Sequence, residues 1–259
     1  MDWLLASLLA LLFALPLPQL SLAEQFQQAL DSSREGRFIE AVGLWDEVIQ
    51  RNPDDSAAWS NRGNVRLALG DPEGAISDQS RALELEPDAV DPHLNRGTAE
   101  EALGRWQEAA EDYHWILERD SADASALYNL GNVEGSLGDW VSARTCFEAA
   151  SLARPGMAMA RSSAALAAFQ QGDFDAAESE LRRLILRYPL FADARAALTA
   201  LLWQQGRAGE AESHWAAASG LDQRYRDSNW LLEVRRWPPQ PVDSLQRFVR
   251  LESAPGGLA

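Results

Sequence analysis

Six glycines recur along this sequence at a constant interval of 34 residues. An alanine follows each of them five residues later, and neither series is interrupted. The glycines are Gly36, Gly70, Gly104, Gly138, Gly172 and Gly206, and the alanines are Ala41, Ala75, Ala109, Ala143, Ala177 and Ala211. Two unbroken series in the same register indicate one supersecondary unit repeated along most of the chain.

The interval and the residue types predict a pair of helices in each unit. A length of 34 residues has room for two helices and a tight turn, and glycine suits the turn because it tolerates positive φ. Alanine suits the closest approach of paired helices. Large side chains follow four residues after the alanine on the same face, at Trp45, Tyr113, Phe147 and Trp215. Pro53, Pro87, Pro155 and Pro189 end four units, since proline lacks the N–H that a helix needs. The sequence therefore predicts an all-α fold.

The pattern resembles the tetratricopeptide repeat family. The best example runs from Ala124 to Pro155 and reads AxxLYNLGxxxGSLGDWxxAxxxFxxA…P. Some units depart from it: Gln79 and Leu181 stand at the aromatic position, and Ala165 and Thr199 at the small position of the first helix. The resemblance implies a right-handed solenoid of about six repeats over residues 24–223, with repeats starting near 22, 56, 90, 124, 158 and 192, closed by a C-terminal capping helix.

The first 23 residues have the features of a secretory signal. An apolar run from Trp3 to Leu15 is followed by Ser21-Leu22-Ala23, which offers small residues at the positions that signal peptidase reads. We expect cleavage after Ala23 and export to a periplasm or a thylakoid lumen. The alternative is an uncleaved membrane anchor, although the apolar run is shorter than the roughly 20 residues of a spanning helix.

The C-terminal part does not continue the repeat. The spacing of Trp230, Val234 and Trp237 predicts one helix over 224–237, and Pro238 to Pro241 are expected to end it. A second helix is expected over 242–251, so that 224–253 caps the last repeat and 254–259 form a disordered tail. A signal, such repeats and a Trp-Pro-rich C-terminus together resemble the lumenal tetratricopeptide proteins of cyanobacteria and plastids.

Composition argues against several classes of function. The formal net charge is −16 and all 23 basic residues are arginine, so a nucleic-acid partner is not expected. The absence of lysine excludes a P-loop, the single Cys146 excludes an internal disulfide, and the three histidines are scattered along the chain. We therefore predict no enzymatic activity, no cofactor and no metal site.

Arginine and aspartate occur together in two repeats. Arg62 and Arg96 precede the small glycine of a first helix, and Asp78 and Asp112 stand 16 residues further on. Repeat four has Leu130 and Cys146 at these two places. Since the charges are present together or absent together, we predict structural ion pairs between the two helices of a repeat. A ligand-binding arginine is the alternative.

Asparagine also recurs with the period of the repeat. Asn61, Asn95 and Asn129 are 34 residues apart, and Asn64 and Asn132 lie one helical turn further along. In the family that this sequence resembles, first helices line a concave groove, which implies a ladder of five amides there. An amide offers both a donor and an acceptor, so it can match a peptide backbone without requiring a sequence. Tolerated polar surface residues are the alternative.

These features predict a non-catalytic scaffold or assembly factor that binds a protein segment in its groove, with basic segments favoured by the acidic surface. One alternative is a permanent structural subunit bound through its convex face, and another is an accessory of an enzyme. Residues 224–250 contain six arginines against three acids. We expect this segment to dock on the acidic repeats, with contact to an acidic partner or an anionic membrane as the alternative. Membrane contact is otherwise expected only through an uncleaved signal.

Overall fold

A computed structural model describes residues 20–252 as thirteen α-helices, with no strand among these residues. The predicted signal up to residue 19 and the predicted tail at 254–259 lie outside the described residues. The first twelve helices form six pairs: α1 (Leu22–Arg34) and α2 (Phe38–Arg51), α3 (Ser56–Ala68) and α4 (Pro72–Leu85), α5 (Val90–Ala102) and α6 (Trp106–Arg119), α7 (Ala124–Ser136) and α8 (Trp140–Ala153), α9 (Ala158–Gln170) and α10 (Phe174–Arg187), α11 (Ala192–Gln204) and α12 (Ala208–Leu221). The prediction of an all-α repeat fold is confirmed.

The turn of each pair contains the recurring glycine. All six glycines have positive φ, from 70° at Gly104 to 88° at Gly138, where a side chain would meet a steric penalty. The six recurring alanines are at most 1% exposed. The assignment of turn and helix crossing from the sequence is therefore confirmed for every repeat.

Aspartates start many of the helices. The side chains of Asp55, Asp71, Asp123, Asp139 and Asp173 accept hydrogen bonds from backbone N–H groups in the first turn of the helix that follows. Such caps satisfy donors that have no partner inside the helix, and each contributes about 1 kcal/mol. The regular recurrence of these caps keeps the helix starts in register.

A glycine in the first helix makes room for a large side chain of the second. A Cβ placed at Gly97 would lie 2.7 Å from the Tyr113 ring, and one at Gly131 would lie 2.6 Å from the Phe147 ring. Both rings are buried. A side chain at Gly97 or Gly131 would therefore displace the aromatic ring that packs against it.

The chain divides into two compact units within α5, one ending at Asn95 and the other beginning at Arg96. In the first unit, buried Trp45 packs edge-on against Phe26 at a centroid distance of 4.9 Å. In the second unit, a large core joins repeats five and six to the C-terminal segment (residues 222–252). Fully buried Leu198 and Phe248 belong to this core.

The prediction of one helix over 224–237 is wrong. This stretch contains a short 3₁₀ helix at Gln223–Arg226 and a short π-helix at Trp230–Val234. The Asp227 side chain accepts hydrogen bonds from the backbone N–H groups of Asn229 and Trp230, so it caps the start of the second short helix. Arg236 then has a φ of 54°. Both features interrupt an α-helix.

The prolines start a helix instead of ending one. Helix α13 runs from Pro239 to Glu252, because proline is compatible with the first turn, where its missing N–H would have no intrahelical partner. The Phe248 ring lies 5.6 Å from Trp203 and 6.0 Å from Trp215. The element that covers the apolar end of repeat six is therefore α13.

Candidate functional site

Three of the predicted asparagines line one cleft in the first unit. This cleft, which we call the asparagine cleft, has a volume of about 350 Å³ and lies between α3, the end of α4 and the start of α5. Its polar lining consists of Ser56, Ser60, Asn61, Asn64, Glu86, Asp91 and Asn95. An open cleft with several amides and no large apolar wall is suited to a polar, extended ligand.

Hydrogen bonds fix the orientation of two of these amides. The Asn61 Nδ2 donates to the Ala57 carbonyl at 2.8 Å, which leaves the Asn61 Oδ1 as an acceptor for a ligand. The Asn64 Oδ1 accepts from the Gln79 Nε2 at 2.9 Å, which leaves the Asn64 amino group as a donor. The cleft therefore offers an acceptor and a donor one helical turn apart, a combination that matches the N–H and C=O groups of a peptide.

Gln79 is the functional residue that the sequence analysis missed. It is 1% exposed, and its Nε2 also donates to the Ser60 carbonyl at 3.0 Å. In the repeat pattern it stands only as a departure from the aromatic position. The available signal was that this polar replacement occurs in the same repeat as Asn64, the residue that it orients.

The other two asparagines belong to the second unit. Asn129 is half-buried and forms a hydrogen bond with the Tyr113 hydroxyl, so it takes part in an internal network. The half-buried Asn132 lies on the same helix, where its backbone carbonyl accepts from the Ser136 hydroxyl at 2.8 Å. The structure thus brings together three of the five predicted amides, and it gives Asn129 a partner within the fold.

The predicted arginines and aspartates lie against each other. Arg62 donates from Nε and Nη2 to the two Asp78 oxygens at 2.8 and 2.7 Å, and Arg96 contacts Asp112 in the same way at 2.9 and 2.7 Å. Arg62 also donates to Asp46, on the second helix of the preceding repeat, at 2.5 Å. Bidentate pairing of this kind is among the strongest that arginine makes. Each of these arginines therefore joins the two helices of its repeat through an ion pair.

In the second unit, the C-terminal segment (residues 222–252) packs along the first helices. It reaches the last turns of α5, α7, α9 and α11 through single polar contacts: Arg236 with Glu101 at 3.3 Å, Arg236 with Ser136 at 3.1 Å, the Gln240 N–H with Gln170 at 2.8 Å, and Ser244 with Gln204 at 2.8 Å. Leu245 and Phe248 are fully buried in the same contact. Each buried side chain of this size contributes about 1.5–3 kcal/mol, so the segment is an integral part of the unit.

A single buried carboxylate anchors this segment. Asp193, in the first turn of α11, is 1% exposed. It accepts from Ser162 at 2.6 Å, Tyr225 at 2.9 Å, Trp237 at 3.1 Å and the Arg235 Nη2 at 2.6 Å. Burial alone would lower the pKa of the Arg235 guanidinium, but the Asp193 charge outweighs it and the pKa is raised. The basic segment therefore docks on acidic residues of the repeats.

A second ionic contact lies nearby. The Arg236 guanidinium stands 4.9 Å from the centre of the Trp106 ring and pairs with Glu101, which also accepts from the Tyr113 hydroxyl. Burial raises the pKa of the Glu101 carboxyl, whereas Tyr113 and Arg236 act in the opposite direction. Arg235 and Arg236 therefore both form ion pairs within the second unit.

The described residues contain no metal-binding cluster and no membrane-spanning helix. In residues 20–252, no three His, Cys, Asp or Glu side chains gather as they would around a metal ion. No helix in the same range is long and apolar enough to cross a membrane. Burial raises the pKa of the Cys146 thiol to about 11, so this thiol is poorly nucleophilic at neutral pH.

The six helix pairs and their constant register define a helical repeat protein. The sequence profile described as Tetratricopeptide repeat matches residues 23–90, 94–158, 131–181 and 162–223. The chain belongs to the tetratricopeptide repeat family, whose members are protein-interaction scaffolds.

Several solved structures share the fold at low sequence identity. PilW, a type IV pilus biogenesis factor, is 20% identical with a TM-score of 0.70, over 80% of this chain and 95% of that one. A tetratricopeptide repeat protein from Parabacteroides merdae is 16% identical with a TM-score of 0.65, over 87% and 97%. YrrB, described as having an unusual peptide-binding site, is 20% identical with a TM-score of 0.55, over 69% and 92%.

Proposed function

We propose that this protein is a non-catalytic scaffold that binds an extended segment of a partner protein in the asparagine cleft. The observation that carries this proposal is the fixed orientation of Asn61 and Asn64, which leaves an acceptor and a donor for a peptide backbone. YrrB, a protein with the same fold, has a peptide-binding site according to its description. The acidic balance of the chain also favours a protein partner over a nucleic acid.

In the second unit the C-terminal segment covers part of the first helices, which also favours the asparagine cleft of the first unit as the binding site. The C-terminal segment occupies their last turns with buried side chains, which removes that surface from a partner. The asparagine cleft is lined by first helices of the first unit, and nothing in the described part of that unit covers it. A partner segment is therefore expected at residues 56–95.

The test compares amide variants in partner binding. A partner is first captured with the full chain and identified by mass spectrometry. Changing Asn61 and Asn64 to alanine should then weaken its binding by about 1–3 kcal/mol for each amide that leaves a desolvated peptide group unpaired, without loss of folding. Asn132→Ala is the matched control, because it makes the same change at the equivalent place of α7. Equal affinities for all variants, measured by calorimetry, would remove the cleft from the mechanism.

Gln79 provides an independent variant. Gln79→Leu copies Leu181 of repeat five and replaces the buried amide with an apolar side chain of similar size. It removes the hydrogen bond that orients Asn64. We expect weaker partner binding with a nearly unchanged melting temperature, whereas unchanged binding would show that the orientation of Asn64 is unimportant.

A second candidate function is that of a permanent subunit bound through the second helices. Leu152 and Leu186 stand at equivalent places of α8 and α10 and are 80% and 84% exposed. Two successive second helices of the repeats thus present a leucine to the surface at the same place. Changing both to serine would disrupt co-purification with a partner if this function holds, while the asparagine variants would have no effect.

We also propose that the protein is exported and works in a periplasm or a thylakoid lumen, as the lumenal tetratricopeptide proteins of cyanobacteria and plastids do. The proposal depends on the predicted signal. Ser21 caps α1 and forms a capping box with Glu24, so cleavage after Ala23 would remove this cap. N-terminal sequencing of the native protein tests cleavage, and extraction only by detergent with Met1 retained would support the anchored alternative.

A further inference from the structure

The charged residues that line the asparagine cleft are all negative. Among its lining residues the charged ones are Glu86 and Asp91, both exposed. Residues 20–95 carry fifteen carboxylates and six arginines. In the described part of the chain, neither Glu86 nor Asp91 forms an ion pair.

The arginines of the first unit are engaged elsewhere. Arg62 and Arg66 contact Asp78. Arg81 pairs with Glu84 at 2.8 Å, and Arg51 donates to the Leu20 carbonyl at 2.8 Å. Arg34 and Arg37 also pair with carboxylates of their own repeat. No arginine in the described part of this unit therefore pairs with the two carboxylates of the cleft.

The second unit shows how first helices of this chain hold a basic, non-helical stretch. Arg235 pairs with Asp193 and Arg236 with Glu101. Just after this stretch, in the first turn of α13, the side-chain oxygen of Gln170 accepts from the backbone N–H of Gln240. Carboxylates bind the arginines and an amide binds the backbone. The asparagine cleft contains the same two kinds of group, and both remain available to a ligand.

We propose that the asparagine cleft selects extended segments that carry arginine or lysine close to the backbone groups bound by the asparagines. The inference rests on the proposed function and names its partner class. The amides supply affinity that does not depend on sequence, and Glu86 and Asp91 supply the preference for positive charge. Because both carboxylates are exposed, the preference is sensitive to salt.

The experiment selects peptides from a random library with the full chain. Peptides of about nine residues are sufficient for a cleft of this kind. The library is panned in parallel against the full chain and against the Asn61→Ala, Asn64→Ala variant, and only peptides that require the wild-type amides are kept. We expect these to be enriched in arginine and lysine. Synthetic copies of the best peptides, and versions with glutamine in place of each basic residue, are then titrated by fluorescence anisotropy.

Charge variants of the protein complete the test. Glu86→Gln with Asp91→Asn should weaken binding of the basic peptides about five- to twentyfold at low salt, and the glutamine peptides should bind this variant and wild type equally. The control is Glu47→Gln with Glu73→Gln, which removes two exposed carboxylates of the same unit outside the cleft. Circular dichroism melts verify that all variants fold.

The outcomes separate the inference from the proposed function. Amide-dependent peptides without an excess of basic residues, or equal losses in the cleft variant and its control, would overturn the charge preference and leave peptide binding intact. Failure to obtain any amide-dependent peptide would overturn the proposed function itself, and the inference with it.

Discussion

Asp193 offers the sharpest test of how the C-terminal segment is held. Its carboxylate accepts from four side chains, and three of them, Tyr225, Arg235 and Trp237, belong to the C-terminal segment. Asp193→Ala would leave the Arg235 guanidinium, which is 14% exposed, without its counter-ion. Removing one partner of a buried pair costs about 3–5 kcal/mol.

The neutral donors add to this cost. The Ser162, Tyr225 and Trp237 groups would each lose their acceptor, at about 1–3 kcal/mol for a group that stays buried. These terms do not sum, because the donors share one carboxylate and part of the segment can move to reach water. We therefore expect a local loss of at least about 3 kcal/mol, which corresponds to a hundredfold or greater rise in segment opening.

Hydrogen exchange read by mass spectrometry measures this opening directly. Peptides from 222–252 should lose protection in Asp193→Ala, while peptides from α7 and α8 should change little. Asp193→Asn keeps an acceptor oxygen but not the charge, so its effect should be smaller. Asp175→Ala, an exposed change on the neighbouring α10, is the control, expected within about 0.5 kcal/mol. A folded Asp193→Ala protein with unchanged protection over 222–252 would refute the reasoning.

Two further predictions concern stability. Arg96→Leu should destabilise the protein by about 3–5 kcal/mol because it removes the guanidinium that pairs with buried Asp112. Adding Asp112→Cys, which copies repeat four, should restore much of the lost stability. Additive effects of the two changes in thermal melts would show that the two residues do not interact. Burial lowers the pKa of His214, and Arg182 and Arg195 act in the same direction against Glu210. The folded state therefore resists protonation, so stability is highest above about pH 6.5 and falls as the pH drops from there toward the lowered pKa. The drop in melting temperature from about pH 7.5 to about pH 5.5 should be smaller in His214→Gln, and an equal drop would exclude His214 as its source.

Periodicity explains what the sequence could predict. A residue such as Gly97 has counterparts one period away on either side, so its neighbour Tyr113 could be located by counting along two helices. The Arg96–Asp112 contact lies within one helix pair and follows from the same counting. Such local contacts are fixed once the repeat register is known.

The features that the sequence did not predict depend on contacts outside the repeat register. The C-terminal segment has no counterpart in the repeats, and its geometry is set by partners such as Asp193 that lie 42 residues before Arg235 in sequence. No pattern in 224–237 distinguishes one helix from two short ones separated by Asp227. The use of Asn129 also escaped prediction, because its partner Tyr113 belongs to the neighbouring repeat.

The Arg236 contact changes how the second unit should unfold. Linear repeat arrays join only adjacent repeats, so they can lose their end repeats one at a time. Here Arg236 is bonded to Ser136, 100 residues earlier, and to Glu101 earlier still. This closes a long loop, which slows folding because distant chain segments must meet first. Fraying of the last repeat therefore requires the C-terminal segment to detach from repeats three and four as well.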